Sequence, residues 1–253
     1  MGFPDLFSRQ ASTYAAARPS YPNELYEFIV SLVPRRSLAW DCGTGNGQAA
    51  RDLARYFDRV IATDASAAQI GLAVPAPGVE YRVAPAEGSG IAPQSADLVA
   101  VAQALHWFAT PEFFTEVRRV AVDGGIVAAW CYGYCHAGHD LEAEIRGFEE
   151  GTLAGHWRPE RRFVADGYRT IPFPFDELAA PAFELRMAWS LRQLGEYINS
   201  WSAVASYRRA NGADPVAPFL KRLAVLWGPP EGTREVTWPL DIRVGTVRGG
   251  RLG

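Results

Sequence analysis

The chain has 253 residues, a net charge of -3, 48% apolar and 21% charged residues. That length suits one large α/β domain with an insertion, or two small domains. The slightly acidic balance excludes a general electrostatic grip on nucleic acid, and no apolar run approaches the roughly 20 residues of a membrane span.

Residues 1–36 form an N-terminal segment with aromatics at Phe3, Phe7, Tyr14 and Tyr21, broken by Pro19, Pro22 and Pro34. Met1–Leu6 has neither the basic nor the apolar region of a signal peptide. Cys42, Cys131 and Cys135 are too few for a disulfide framework, so a cytoplasmic location is expected. Residues 37–131 alternate short apolar runs with amphipathic ones, the pattern of a parallel sheet covered by helices. The spacing predicts strands at Ser37–Asp41, Arg59–Asp64, Glu80–Ala84, Asp97–Ala102 and Ile126–Trp130. It predicts helices at Gln48–Phe57, after a Ser66 cap, and at Pro111–Val120, with a turn at Asp123-Gly124-Gly125. Residues 132–182 read as a mostly helical insertion. Residues 183–253 complete the sheet and lid, with strands at Phe183–Trp189 and Glu235–Val247 and helices at Leu191–Ser200 and Val216–Leu226.

The strand-to-helix turn Asp41-Cys42-Gly43-Thr44-Gly45-Asn46-Gly47-Gln48 carries the chemistry. Glycines there let the backbone pass close beneath a ligand. A carboxylate at the mouth of such a loop repels a pyrophosphate but attracts an ammonium, so Asp41 points to S-adenosylmethionine. Ligands of open α/β sheets bind at the carboxyl ends of the strands. Asp64 ends the second strand and can accept two ribose hydroxyls. Ala86 and Glu87 fall where an adenine edge would lie, and Gln103 lies near the methionine portion and sulfonium. The rival ligand is a dinucleotide, whose fingerprint wants glycine at the first, third and sixth positions; here the sixth is Gln48.

These motifs resemble the class I S-adenosylmethionine-dependent methyltransferases. The Asp41–Gln48 run is similar to their first motif, and Asp64-Ala65-Ser66 to their second. Ala86-Glu87, Ser95–Val99, Gln103–Phe108 and Glu116–Gly125 are similar to the blocks that follow. Within that family the chain most resembles the small-molecule enzymes similar to trans-aconitate methyltransferase. The features shared with them are Phe7, Tyr14, Arg18-Pro19, Tyr21-Pro22, His106-Trp107, Ile171–Phe175 and Ser200-Trp201-Ser202. The resemblance covers roughly 1–205. It departs at Cys42-Gly43-Thr44, where Gly-Cys-Gly-Thr is commoner, and at Pro85, where some members have an acid facing adenine. It implies a Rossmann-like, seven-stranded, mostly parallel sheet with an antiparallel final strand, helices on both faces and a helical lid. It also implies that residues 1–36 fold over the cofactor, bringing Tyr14 and Arg18 to the methionine end. Thr44, Gln48 and Ala65 join the cofactor set through the same motifs.

Methyl transfer is an in-line displacement in which positioning supplies much of the acceleration. A carboxylate acceptor needs no base and would be oriented by arginines; a hydroxyl or amine must lose a proton, and His106 is the base in place for that. His106, Trp107, Trp130, Tyr132, Trp157, Arg158, Tyr168 and Trp201 are the expected acceptor residues, suited to an acidic or aromatic small molecule and joined in the lid by Tyr134, Arg161 and Arg162. Cys131, Cys135, His136 and His139 lack paired metal-ligand spacing, so no metal is expected. The expected protein is an S-adenosylmethionine-dependent methyltransferase, a monomer or homodimer acting on a small-molecule oxygen, with neither nucleic acid nor membrane as partner. A nicotinamide oxidoreductase and a non-catalytic cofactor binder are the alternatives.

Overall fold

The computed structural model describes residues 18–229 and 231–248; the expectations for Phe7 and Tyr14 fall outside them. The first element, α1 (Asn23–Leu32), turns Leu25, Tyr26, Ile29 and Val30 inward. The central strand β1 (Leu38–Cys42) is buried throughout. It pairs in parallel with β2 (Arg59–Asp64) on one side and β4 (Ala96–Ala102) on the other. Beyond β2 lies β3 (Val79–Val83), and beyond β4 lies β5 (Ala121–Tyr132), both parallel. The long β8 (Thr233–Val247) runs antiparallel to β5. Its far edge carries β6 (Asp176–Leu178) near one end and β7 (Phe183–Ser190) near the other.

The path is therefore β3-β2-β1-β4-β5-β8-β6, with β7 beside it on β8. The seven-strand path expected from the resemblance is present. The additional strand exists because β8 outruns β5: residues 240–247 pair with β5, while 233–240 pair with β7. Val236, Trp238 and Leu240 face inward at a period of two.

The inner strands β1, β2 and β4 are buried on both faces, which is why they read as continuous apolar runs, whereas β3, β6 and β7 are largely half-buried or exposed. Alternate residues serve opposite cores. Ala39, Leu98, Ala128 and Trp130 face α1, α2 (Gln48–Leu53) and the later helices α5 (His139–Gly147), α7 (Leu191–Asn199) and α9 (Val216–Trp227). Trp40, Val99, Ala129 and Cys131 face α4 (Pro111–Val120). The short helix α3 (Ala67–Ile70) starts at Ser66, whose side chain accepts from the Gln69 N–H. Pro111 stands at the start of α4, behind a Thr110 cap.

Three local expectations are corrected. The helix after the glycine loop closes at Leu53, not Phe57. Asp123-Gly124-Gly125 does not end a strand: β5 continues through it, the register slipping between the pairs Ala96–Ala121 and Leu98–Ile126. Gly124, at φ +75°, absorbs this bulge. Helix α8 (Ser202–Asn211) was not expected, because only Ala203 and Val204 are buried on it and its apolar stripe is thin. In the insertion, α5 runs into a π-helical turn at Phe148–Thr152, and α6 (Arg161–Ala165) follows. Among the described residues, no helix is long and apolar enough to cross a membrane.

Candidate active site

The sheet order reverses between β1 and β4, and a cavity of about 590 Å³ opens at their carboxyl ends. Its floor is the loop after β1. Gly43, Gly45 and Gly47 all adopt left-handed backbone, at φ +71°, +58° and +85°. The N–H groups of Gly43 and Thr44 donate to the Thr63 carbonyl, each at 2.9 Å, which ties the loop to β2. Only glycine fits at 43, since a Cβ there would lie 2.7 Å from Ala104 Cβ and 2.9 Å from Phe108 Cε1.

Asp64 lines the cavity at the tip of β2. Its Oδ2 accepts the Gly45 N–H at 2.9 Å and its Oδ1 the Ser66 N–H at 2.8 Å. Burial raises its carboxyl, and the two N–H groups pull it back down. Asp41 sits differently from expectation. It is wholly buried and lies under the floor rather than in the lining. Its Oδ2 accepts the Thr44 hydroxyl at 2.5 Å, while Oδ1 has no hydrogen-bond partner among the described residues. Burial pushes its carboxyl up to about 7, against the Thr44 hydrogen bond.

Of the other expected cofactor residues, Arg18, Gly43, Thr44, Gly45, Gln48, Ala65, Ala86, Glu87 and Gln103 all line the cavity. Arg18 Nη1 donates to the Tyr132 hydroxyl at 3.1 Å. Gln48 Nε2 donates to the Pro19 carbonyl at 2.9 Å, anchoring the chain that precedes α1. Gln103 adopts φ +55°, and its Nε2 donates to the Tyr132 carbonyl at 2.9 Å. Tyr21, Gln69, Thr110 and Glu112 also line the cavity and were not expected as site residues. Tyr21 and Gln69 belong to motifs shared with the family, whereas Thr110 and Glu112 carry only a position at a helix start; tertiary packing brings all four to the cavity.

Of the expected acceptor residues, Trp107 and Tyr132 are in the cavity lining, whereas His106, Trp157 and Arg158 stand outside it. Arg158 holds its guanidinium 5.8 Å from the Trp107 ring centre, and Arg161 lies over Trp157 at 4.0 Å and Tyr134 at 5.4 Å. By contrast, Trp130 and Tyr168 are wholly buried, and Trp201 sits in the lid core against Trp157, Tyr197 and Phe148. These three pack rather than face a ligand.

His106 stands beside Trp107, with ring centres 4.6 Å apart. Its Nδ1 is 3.0 Å from the Tyr168 hydroxyl. Burial first, then the charges of Arg161 and Arg18, depress its imidazole to about 3. It is a neutral ring and a weak base. Glu149, on the π-helical turn, is pushed up to about 7 by burial while Arg161, 3.5 Å away, pulls it down. The cysteine–histidine group disperses: Cys131 and Cys135 are buried, and His136 pairs with Glu142 at 3.1 Å.

Comparison with known proteins agrees with this site. A methyltransferase-domain family model matches residues 40–129, the strands and loops that build the cavity floor. A Dictyostelium discoideum protein named as a methyltransferase is 34% identical over 223 residues, which cover 87% of this chain and 84% of the relative. The chain belongs to the class I S-adenosylmethionine-dependent methyltransferases. A Saccharomyces cerevisiae protein, CRG1, named as an S-adenosylmethionine-dependent methyltransferase, is 27% identical over 81% of this chain and 83% of its own. The solved structure of an Anaeromyxobacter dehalogenans protein described as a type II methyltransferase is 44% identical. It covers 92% of this chain and 99% of its own, with a TM-score of 0.86.

The methyltransferase uses S-adenosylmethionine, and family membership overturns the oxidoreductase alternative. The site suits that cofactor chemically. Its floor is glycine backbone that a side chain would block, and two acids stand in or under it, one of them wholly buried. A cationic nucleoside matches this charge; a pyrophosphate does not.

Proposed function

We propose that the enzyme methylates a carboxylate oxygen of a small acidic metabolite drawn from the cytoplasm. The observation that carries this reading is the set of cations around the His106–Trp107 turn. Arg158 lies against Trp107, and the charges of Arg161 and Arg18 add to burial in depressing the His106 imidazole. Such a turn favours an anion and offers no strong base. A carboxylate is already a nucleophile and needs none.

When bound, S-adenosylmethionine supplies an electrophilic methyl group on a sulfonium. Asp64 would hold the ribose, since each of its oxygens accepts one N–H and keeps a lone pair for a hydroxyl. Arg18 would pair with the methionine carboxylate. Gly43, Thr44 and Gly45 would pass beneath the ligand, with Gln48 and Gln103 beside the methionine portion. Ala65, Ala86 and Glu87 would flank the nucleoside. Asp41 would act from below, as a negative charge that favours the cation above. Residues 132–182 would form the lid, from which Arg158, Arg161 and Trp157 orient the acceptor with Trp107 and Tyr132.

The test is transfer of a labelled methyl group across a panel of mono-, di- and tricarboxylates, phenols and amines, with products read by mass spectrometry. A base-labile methyl ester is expected; label found only in amines would refute the reading. A hydroxyl acceptor is the second reading. Glu149 favours it, as a buried carboxylate raised to about 7 next to Arg161.

A further inference from the structure

Tyr168 is held in an unfavourable conformation. It is wholly buried with φ +63°, a region that a bulky residue rarely occupies. Contacts on both sides keep it there. Its N–H donates to the Phe163 carbonyl at 2.7 Å, and its own carbonyl accepts Arg243 Nη1 at 2.9 Å. Gly167 before it is also left-handed, and a Cβ there would meet the Asp241 carboxylate. The result is one hydroxyl aimed at one imidazole nitrogen.

We propose that Tyr168 is a positioning residue: its hydroxyl donates to His106 Nδ1, fixes the ring as the Nε2–H tautomer, and thereby presents His106 to the acceptor as a neutral hydrogen-bond donor instead of a base. This rests on the reading that the His106–Trp107 turn faces the acceptor.

The direction of the bond follows from a count of protons. A phenol has one. Burial raises the Tyr168 hydroxyl well above its ordinary range, and the backbone N–H groups of Leu105 and His106 act against that, as donors toward its oxygen. The neighbouring Cys131 thiol donates to the Val164 carbonyl at 4.0 Å; its sulfur also lies within hydrogen-bonding reach of the Tyr168 hydroxyl but is a weak acceptor. The imidazole nitrogen is the strong acceptor in reach. With Nδ1 accepting, a neutral ring carries its single proton on Nε2. The opposite arrangement would turn the Tyr168 proton away from Nδ1 inside a fully buried site, where an unmade hydrogen bond is costly. Arg18 and Arg161 oppose a second proton on the ring. Beside arginines that supply charge, a neutral N–H adds direction: it can select one oxygen of a carboxylate.

The experiment is long-range proton–nitrogen NMR on protein with labelled histidine. The chain has 4 histidines, so the His106→Gln variant assigns the resonance. The wild type is expected to show a single Nε2–H form, with Nδ1 at a hydrogen-bonded shift, constant from pH 5 to 8. In Tyr168→Phe, Nδ1 should move to the unbonded shift and the Nδ1–H form should become populated. With the acceptor identified by the panel, Tyr168→Phe should lower kcat about tenfold at unchanged donor affinity. His106→Gln, which keeps a donor, should retain more activity than His106→Ala. A proton on Nδ1 in the wild type, titration of His106 in that range, or a Tyr168→Phe spectrum superimposable on wild type would overturn the proposal. The spectrum is read without an acceptor, so failure of the carboxylate panel would sink the acceptor assignment and leave the tautomer to be decided by the nitrogen shifts.

Discussion

Replacing Asp41 with asparagine should make the cofactor-free protein more stable at pH 8 while weakening its grip on the donor. Asp41 is wholly buried, and its carboxyl is raised from 3.8 to about 7. At about 1.4 kcal/mol per pH unit, keeping it ionised at pH 8 costs the fold about 4 kcal/mol relative to the unfolded chain. The sign follows from proton uptake. Between 3.8 and about 7 the folded state holds a proton that the unfolded state has lost, so stability falls as pH rises through that window and levels off above it. Asparagine escapes this cost and still accepts the Thr44 hydroxyl. Its amide, however, stands where Oδ1 has no hydrogen-bond partner among the described residues, a loss of about 2 kcal/mol. The net gain is therefore about 2 kcal/mol at pH 8 and about zero at pH 5. Denaturant unfolding at both pH values measures it. Calorimetry with S-adenosylmethionine should show binding weakened about 10- to 100-fold at pH 8, and the wild type's rise in affinity toward pH 7 should be gone. A variant less stable than wild type at pH 8 that binds the donor equally well would refute the buried-charge argument.

Four further outcomes are expected. Asp64→Ala strands the Gly45 and Ser66 N–H groups and removes the ribose acceptors, so donor affinity by calorimetry should fall about 100-fold. Gly43→Ala combines left-handed strain with the clash on Ala104 and Phe108, and should cost about 2–4 kcal/mol in unfolding experiments and abolish donor binding. Arg158→Gln should raise the acceptor KM about tenfold and leave donor affinity unchanged, measured by initial rates and calorimetry. Asp97→Ala should cost about 3 kcal/mol, because the buried carboxylate accepts the Ser37 N–H at 2.9 Å and the Leu38 N–H at 3.2 Å and pairs with Arg35; activity per folded molecule should be unchanged.

Elements whose periodicity is strong were legible in the sequence. Arg59–Asp64 and Pro111–Val120 fall where the spacing places them, because the first alternates between two cores and the second has a proline and a Thr110 cap at its start. Helix α8 was missed because its buried face is two residues. The β5 bulge was read as a turn because Gly-Gly punctuates either structure equally well.

For the site, the sequence by itself determined the glycine loop, the acids at the tips of β1 and β2, and hence a cationic nucleoside cofactor; these are local matters of backbone freedom and residue charge. Tertiary packing decided how deep each group lies and what field it feels. It sank Asp41 beneath the floor, moved Trp130, Tyr168 and Trp201 from binding to packing, and left Trp107 and Tyr132 in the lining. It also depressed the His106 imidazole, first by burying it and then by bringing Arg161 and Arg18 near it from two distant parts of the chain. Protonation state and solvent access are sums over neighbours in space, and only the folded chain brings those neighbours together.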